Sequence, residues 1–162
     1  MLAPTLLRRY ALSMPDVFTT KKRSEVMSRI RGSGNRDTEL RMIFIFRQKG
    51  ITGWRRNVRI FGKPDFVFPR HKLAVFVDGC FWHRHAGCRF AYTPKSRCDF
   101  WVQKFASNVA RDKIVIRTLR KAGWRVLRVW ECRLISKHED RTGRRLQRAL
   151  NSGPLDRPST QL

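Results

Sequence analysis

Leu73 to Val77 is an unbroken apolar run, LAVFV, the pattern of a strand buried on both faces. A second strand is predicted at Arg125–Trp130 (RVLRVW). Residues Trp54–Phe61 alternate in polarity, turn at Gly62-Lys63-Pro64, and continue into Asp65-Phe66-Val67-Phe68, which predicts a hairpin. Helical spacing runs from about Asp99 to Ala122 and stops at Gly123. An earlier helix is capped by Asp37 or Thr38, has Leu40, Ile43, Phe44 and Phe46 as apolar positions, and ends at Gly50. Before it, Thr20 to Arg31 carries Val26, Met27 and Ile30 on one side, and Gly32-Ser33-Gly34-Asn35 breaks the pattern. After Glu131-Cys132 a basic helix runs into a polar tail from Asn151. The order α-α-β-β-β-α-β-α predicts an α/β protein with a mixed sheet flanked by helices.

The chain's 162 residues suit one domain. That domain is expected over residues 20–150, with a flexible extension over 1–19 and a tail over 151–162. Charge sharpens the picture: 36 Lys+Arg against 12 Asp+Glu give +24, spread along the whole chain. So much like charge opposes a compact state unless a polyanion uses it. The apolar runs are short and broken by charge, so nucleic acid is the expected partner and a membrane is not. Arg8 and Arg9 interrupt the apolar start, which therefore does not read as a secretory signal, and Met14 offers an alternative start. The four cysteines are then expected to be thiols or metal ligands in a reducing cytoplasm.

The candidate chemistry is densest in GCFWHRHAGC, residues 79–88. Cys80, His85, Cys88 and the distant Cys132 make a Cys₃His set suited to structural zinc, with buried free thiols as the alternative. Cys98 and His83 lie near enough in sequence to leave other choices of four ligands open. Acidic residues are scarce, so their placement is informative. Asp65 opens one strand and Asp78 closes the next; together they could hold Mg²⁺, or simply belong to turns. Trp101, Asn108 and Asp112 fall on one narrow stripe of the long helix, which is unusual for ordinary core. Phe81 and Trp82, in a loop that a metal would hold outward, could wedge into a base step or pack in a core.

GNRDTEL (34–40), GITGWRRN (50–57), GKPDFVF (62–68), VFVDGCFWHRHAGC (75–88), FWVQKFASNVARD (100–112) and GWRVLRVWEC (123–132) occur in that order. Together they resemble the very short patch repair (Vsr) DNA mismatch endonucleases, over nearly all of Lys21 to Cys132. The resemblance implies a restriction-endonuclease-like fold of the PD-(D/E)XK type with a structural zinc site. It implies Mg²⁺-dependent nicking of one strand on the 5′ side of the T in a T:G mispair, such as 5-methylcytosine deamination leaves. By residue, it implies Asp65 and the Val77 carbonyl as Mg²⁺ contacts, His83 as the catalytic histidine and Asp112 as its orienting carboxylate. Cys80, His85, Cys88 and Cys132 would hold Zn²⁺; Phe81, Trp82 and Trp101 would intercalate; Glu39 and Asn108 would be further active-site positions. The expected setting is a monomer on double-stranded DNA in the cytoplasm at the nucleoid, with mismatch-repair proteins as candidate partners.

This sequence departs from the broader superfamily, whose strand motif carries glutamate and lysine where Phe76, Val77 and Asp78 stand here. Asp78 also occupies a place where some relatives carry histidine, and two roles are open to it: metal ligand, or counter-charge to His83. Two other functional classes compete with the mismatch nickase. One is a zinc-stabilised DNA-binding module without catalysis; the other is a restriction-type endonuclease.

Overall fold

A computed structural model describes residues 36–153. The extension 1–19, the helix expected over Thr20 to Arg31 and residues 154–162 of the expected tail lie outside the described residues. The described elements are a π-helical turn at Arg36–Leu40 leading into α1 (Arg41–Gln48), then β1 (Phe66–Phe68), β2 (Leu73–Asp78), α2 (Cys98–Lys121), β3 (Arg125–Trp130) and α3 (Ser136–Asn151).

β2 is the central strand, as its apolar run predicts, with all its residues buried except the partly buried Phe76. β1 pairs with it antiparallel and β3 pairs with it parallel, giving a mixed three-stranded sheet flanked by helices. A tight antiparallel link suffices for β1 and β2: one 3-10 turn at Pro69–His71, followed by Lys72 in the left-handed region at φ 43°. Parallel neighbours need a crossover, which α2 supplies across its 24 residues. β3 turns Leu127 and Val129 into the core, leaving Arg128 between them only partly covered.

Two expectations are corrected. Trp54–Phe61 is not a strand: within it only Arg55 pairs, exchanging hydrogen bonds with Val67 (2.8 and 2.9 Å). Asn57 enters the left-handed region at φ 54°, and Ile60 N–H donates back to Val58 O (2.9 Å), so the chain turns before a ladder can extend. The alternation instead reflects Trp54 leaning on Phe46 and Phe66 while Arg56 reaches Glu39. The start and phase of the first helix also differ. Asp37 and Thr38 fall inside the π-helical turn, not at a cap, and the buried face of α1 is Met42, Ile45 and Phe46, while Leu40 and Phe44 are 43% and 44% exposed. A continuous apolar run such as MIFIF has no phase of its own, so tertiary packing chooses which side turns inward.

That packing centres on Phe46, whose ring meets Phe66 and Phe68 edge-on at 5.0 and 5.8 Å. Val75, Val77, Leu127, Val129, Leu134 and Leu146 complete the same core. Ion pairs Arg41–Glu139 and Lys49–Asp140 fasten α3 to α1. Phe46→Ala is expected to cost about 3–5 kcal/mol in urea unfolding, whereas Phe44→Ala costs less than about 1 kcal/mol. Equal losses would contradict this phase of α1.

Candidate active site and metal centre

β1 begins at Phe66 opposite Val75, so β2 runs past it and leaves the Val77 N–H without a strand partner on that edge. Asp65, one residue before β1, fills the gap: its Oδ2 accepts from Val77 N at 2.7 Å. A strand residue's N–H and C=O point to the same edge, so the Val77 carbonyl faces the Asp65 side as well. Glu39, 5% exposed and paired with Arg56, and Asp78, 6% exposed, place their charges close enough to be felt at Asp65. Burial pushes the Asp65 carboxyl up from 3.8 to about 6; the Glu39 and Asp78 charges add to that, against the opposing pull of the Val77 N–H. Carboxylates gathered beside an outward carbonyl are the oxygen donor set a hard divalent cation takes, and such a cation would reverse the shift.

His83 hangs from the loop that follows β2, in a turn closed by its own N–H donating to Gly79 O (3.2 Å). Asn108 of α2 braces the loop by donating from Nδ2 to Trp82 O (3.0 Å). One helical turn further on, Asp112 Oδ2 lies 2.6 Å from His83 Nδ1. In the neutral ring that contact assigns the proton to Nδ1 and leaves the lone pair on Nε2. Asp78 Oδ1 stands 3.7 Å from Nε2. Arg128 of β3 reaches both carboxylates, through Nε to Asp78 Oδ2 and through Nη2 to Asp112 Oδ2 at 3.0 Å. Asp78 thus joins the Asp65 group to the His83 group, and the two lie at one end of the sheet.

The Cys80, His85, Cys88 and Cys132 ligand atoms all lie within 4.8 Å of one another. Cys80 follows the β2 terminus after Gly79, and Cys132 follows the β3 terminus after Glu131. His85 Nδ1 is 3.5 Å from Cys80 Sγ and 3.4 Å from Cys132 Sγ. A zinc tetrahedron with bonds of about 2.3 Å to sulfur and about 2.0 Å to nitrogen has S···N edges of roughly 3.5 Å, so the set could hold such an ion. Burial, then Arg133 and Arg128, lower His85 below its ordinary value and keep it the neutral donor a metal requires. Burial, with the adjoining Cys132 and Cys88 thiols, pushes the Cys80 thiol well up, a crowding that a cation relieves. Glu131 Oε2 accepts from Cys80 N (3.1 Å), and Trp130 stacks on His85 at 4.3 Å and 11°. Cys98 sits apart at the start of α2, its Sγ against Lys95 O, and His83 is engaged by Asp112.

Phe81, Trp82 and Trp101, the candidate intercalating rings, are packed on one another. Phe81 meets Trp82, Tyr92, Trp101 and Phe105 with centroids 5.1 to 5.4 Å apart. Trp101 is buried, Phe81 and Trp82 are half-buried, and Tyr92 is 63% exposed. Trp101, Phe105, Asn108 and Asp112 form the face of α2 that looks onto the loop.

Comparison with known proteins decides the family. The profile of the DNA mismatch endonuclease Vsr matches residues 15–89. The chain is 41% identical to the type II nicking enzyme V.NmeAIP of Neisseria meningitidis over 124 residues, 76% of this chain and 87% of that protein. It is 38% identical to the DNA mismatch endonuclease Vsr of Escherichia coli over 123 residues, 75% of this chain and 76% of that protein. The chain belongs to the Vsr family. The type II nicking enzyme V.XorIIP of Xanthomonas oryzae is a further Vsr-like relative, 38% identical over 121 residues, 75% of this chain and 88% of that protein.

Within this Vsr-family chain the structure brings Asp65, Val77, Asp78, His83 and Asp112 to one end of the sheet, with Asn108 bracing the loop and Glu39 within electrostatic reach of Asp65. Sequence reasoning missed Arg128 and Glu131. The available signal for Arg128 was a cation at the middle of an otherwise apolar strand segment, Val126 to Trp130.

The raised Asp65 value carries a stability prediction. Its ionisation penalty is absent below pH 3.8, where the carboxyl is protonated in folded and unfolded chains alike, and is complete above about pH 6. Asp65→Asn keeps an oxygen for the Val77 N–H and removes the charge. Without added Mg²⁺ at about pH 7.5 it should exceed the parent's stability by on the order of 1–3 kcal/mol in urea unfolding, with the gap closing towards pH 3.8.

Proposed function

We propose that this protein nicks one strand of double-stranded DNA on the 5′ side of the T in a T:G mispair, and so opens very short patch repair. The observation that carries the reading is the His83–Asp112 contact of 2.6 Å at the same sheet end as Asp65 and the Val77 carbonyl. Membership of a family that includes the E. coli mismatch endonuclease supports it. The mixed sheet with its crossover helix is compatible with the restriction-endonuclease-like core of the PD-(D/E)XK type.

In this reading Asp112 fixes the ring so that His83 Nε2 points at the attacking water and takes its proton. Asn108 keeps the loop, and with it the ring, from drifting, through the Trp82 carbonyl. Asp65 and the Val77 carbonyl would hold Mg²⁺, which when bound offsets negative charge on the phosphate and on the departing 3′ oxygen. Glu39, 5% exposed, adds negative charge beside that position. Cys80, His85, Cys88 and Cys132 would hold Zn²⁺ as a closed structural site and set the loop's path. Phe81, Trp82 and Trp101 would enter the stack beside the mispair, where wobble pairing makes separation less costly. The +24 charge supplies affinity for the backbone irrespective of sequence. Among the described residues no helix is long and apolar enough to cross a membrane, and we assign the protein to the cytoplasm, acting as a monomer at the nucleoid, with mismatch-repair proteins as further partners.

The deciding experiment uses duplexes with strand-specific end labels, one carrying T:G and one fully paired, with Mg²⁺ and with chelator. The expected result is one nick 5′ of the T, only in the mismatched duplex and only with Mg²⁺. A mobility shift without cutting would make the protein a binding module, and equal cutting of both duplexes would make it a restriction-type enzyme. Separately, the parent should contain about one zinc per chain by elemental analysis, and Cys132→Ala should lose it and melt far lower. Full zinc content with an unchanged melt would remove Cys132 from the ligand set.

A further inference from the structure

We propose that Arg128 is a positioning residue that holds the Asp78 carboxylate off the reacting nitrogen of His83, and that Asp78 and Arg128 work in this chain as one charge-paired unit. The inference rests on the nicking reading above.

His83 has one nitrogen committed, Nδ1 to Asp112 at 2.6 Å, so Nε2 alone remains to accept a proton. Asp78 Oδ1 lies 3.7 Å from Nε2. That leaves room beside the nitrogen, and a closure of about 0.9 Å would put the carboxylate oxygen into it. A carboxylate oxygen there would occupy the place at Nε2 that the attacking water needs.

What holds Asp78 back is visible at its other oxygen, where Arg128 Nε donates to Oδ2. The same guanidinium donates through Nη2 to Asp112 Oδ2 at 3.0 Å, so one planar fork spans the two carboxylates that flank the imidazole. The fork has its own support: its carbon lies 4.7 Å from the Trp130 ring centre, and Trp130 stacks on His85. Strand register places the pair, since Arg128 is opposite Phe76 and Asp78 opposite Trp130 on parallel neighbours. Among the described residues, the basic groups recorded against Asp78 are Arg128 and His83. If Arg128 is removed, His83 is the one that remains.

The consequence is a particular non-additivity. Arg128→Met should harm the reaction because Asp78 is still there, and removing Asp78 too should relieve the harm. Parent, Asp78→Ala, Arg128→Met and the double variant are compared in single-turnover nicking of T:G duplex at saturating protein with Mg²⁺. Lost folding lowers the amplitude, whereas a misplaced Asp78 lowers the rate constant. Arg128→Met is expected to slow the rate constant by roughly 30-fold or more, with the dissociation constant for DNA changed less than about 3-fold. The double variant should recover roughly ten-fold or more of that loss. If Arg128→Met is too unstable to assay, the other leg decides: with Asp78 already Ala, adding Arg128→Met should change the rate constant by less than about 3-fold. A double variant as slow as Arg128→Met, an Arg128→Met rate equal to the parent's, or a large further loss in the Ala background would overturn the clamp and leave the functional reading standing. A parent that cuts no T:G duplex would overturn both.

Discussion

The parallel register between β2 and β3, Leu73 opposite Arg125 through Asp78 opposite Trp130, is the constraint on which the rest of the structure depends. The groups at the working end hang from its last rungs. Val77 and Asp78 end one strand, Arg128 and Trp130 end the other, and Cys80 and Cys132 follow just beyond. Because side chains alternate across a sheet, a slip of one residue would turn Arg128 away from Asp78 and bring Val129 to that side. The apolar residues on the same strands oppose such a slip, since Leu127 and Val129 would leave the core as Arg128 entered it. Packing energy and site geometry are therefore enforced by one alignment.

The loop from Gly79 to Cys88 meets two demands at once. Its sulfur and imidazole donors converge with Cys132, and between Cys80 and His85 it projects His83 towards α2. Ten residues without regular structure would ordinarily sample many conformations. Here the backbone is tied at Glu131 through Cys80 N, at Asn108 through Trp82 O and by the stacked His85–Trp130 pair. Gly79 belongs to this economy of space: a Cβ there would stand 3.3 Å from the Trp82 ring. The loop can be precise because contacts from β3, α2 and the turn after β3 reinforce its own hydrogen-bonded turns.

Much of this was legible in the sequence. The run LAVFV identified the central strand by its unbroken apolar character, and RVLRVW the third by its β-branched and aromatic residues between Gly123 and Glu131. Helical periodicity brought Trp101, Asn108 and Asp112 to one face of α2, and the structure has that face against the loop. Clustering of Cys80, His85 and Cys88 indicated the donor set, completed by Cys132. Three features were hidden for physical reasons. The phase of α1 could not be read from MIFIF, an apolar run with no polar position inside it to mark the outer side. The alternation in Trp54–Phe61 came from Trp54 and Arg56 seeking tertiary partners, and no ladder follows Asn57. Arg128 resembled one more cation in a chain that carries 36 Lys+Arg, and only its two carboxylate contacts separate it from the rest.

The aromatic cluster has a consequence for selectivity. Phe81 meets Trp82, Trp101 and Phe105 edge-on and Tyr92 at a tilt, so in the proposed reading rings that served as a wedge would leave one set of neighbours to gain another. Such an exchange would have a built-in threshold: aromatic contacts inside the protein would compete with those offered by the duplex, and a base step already loosened would tip the balance more readily than a sound one. Discrimination between sound and flawed duplex would then begin in the free enzyme, in how firmly its own rings hold together.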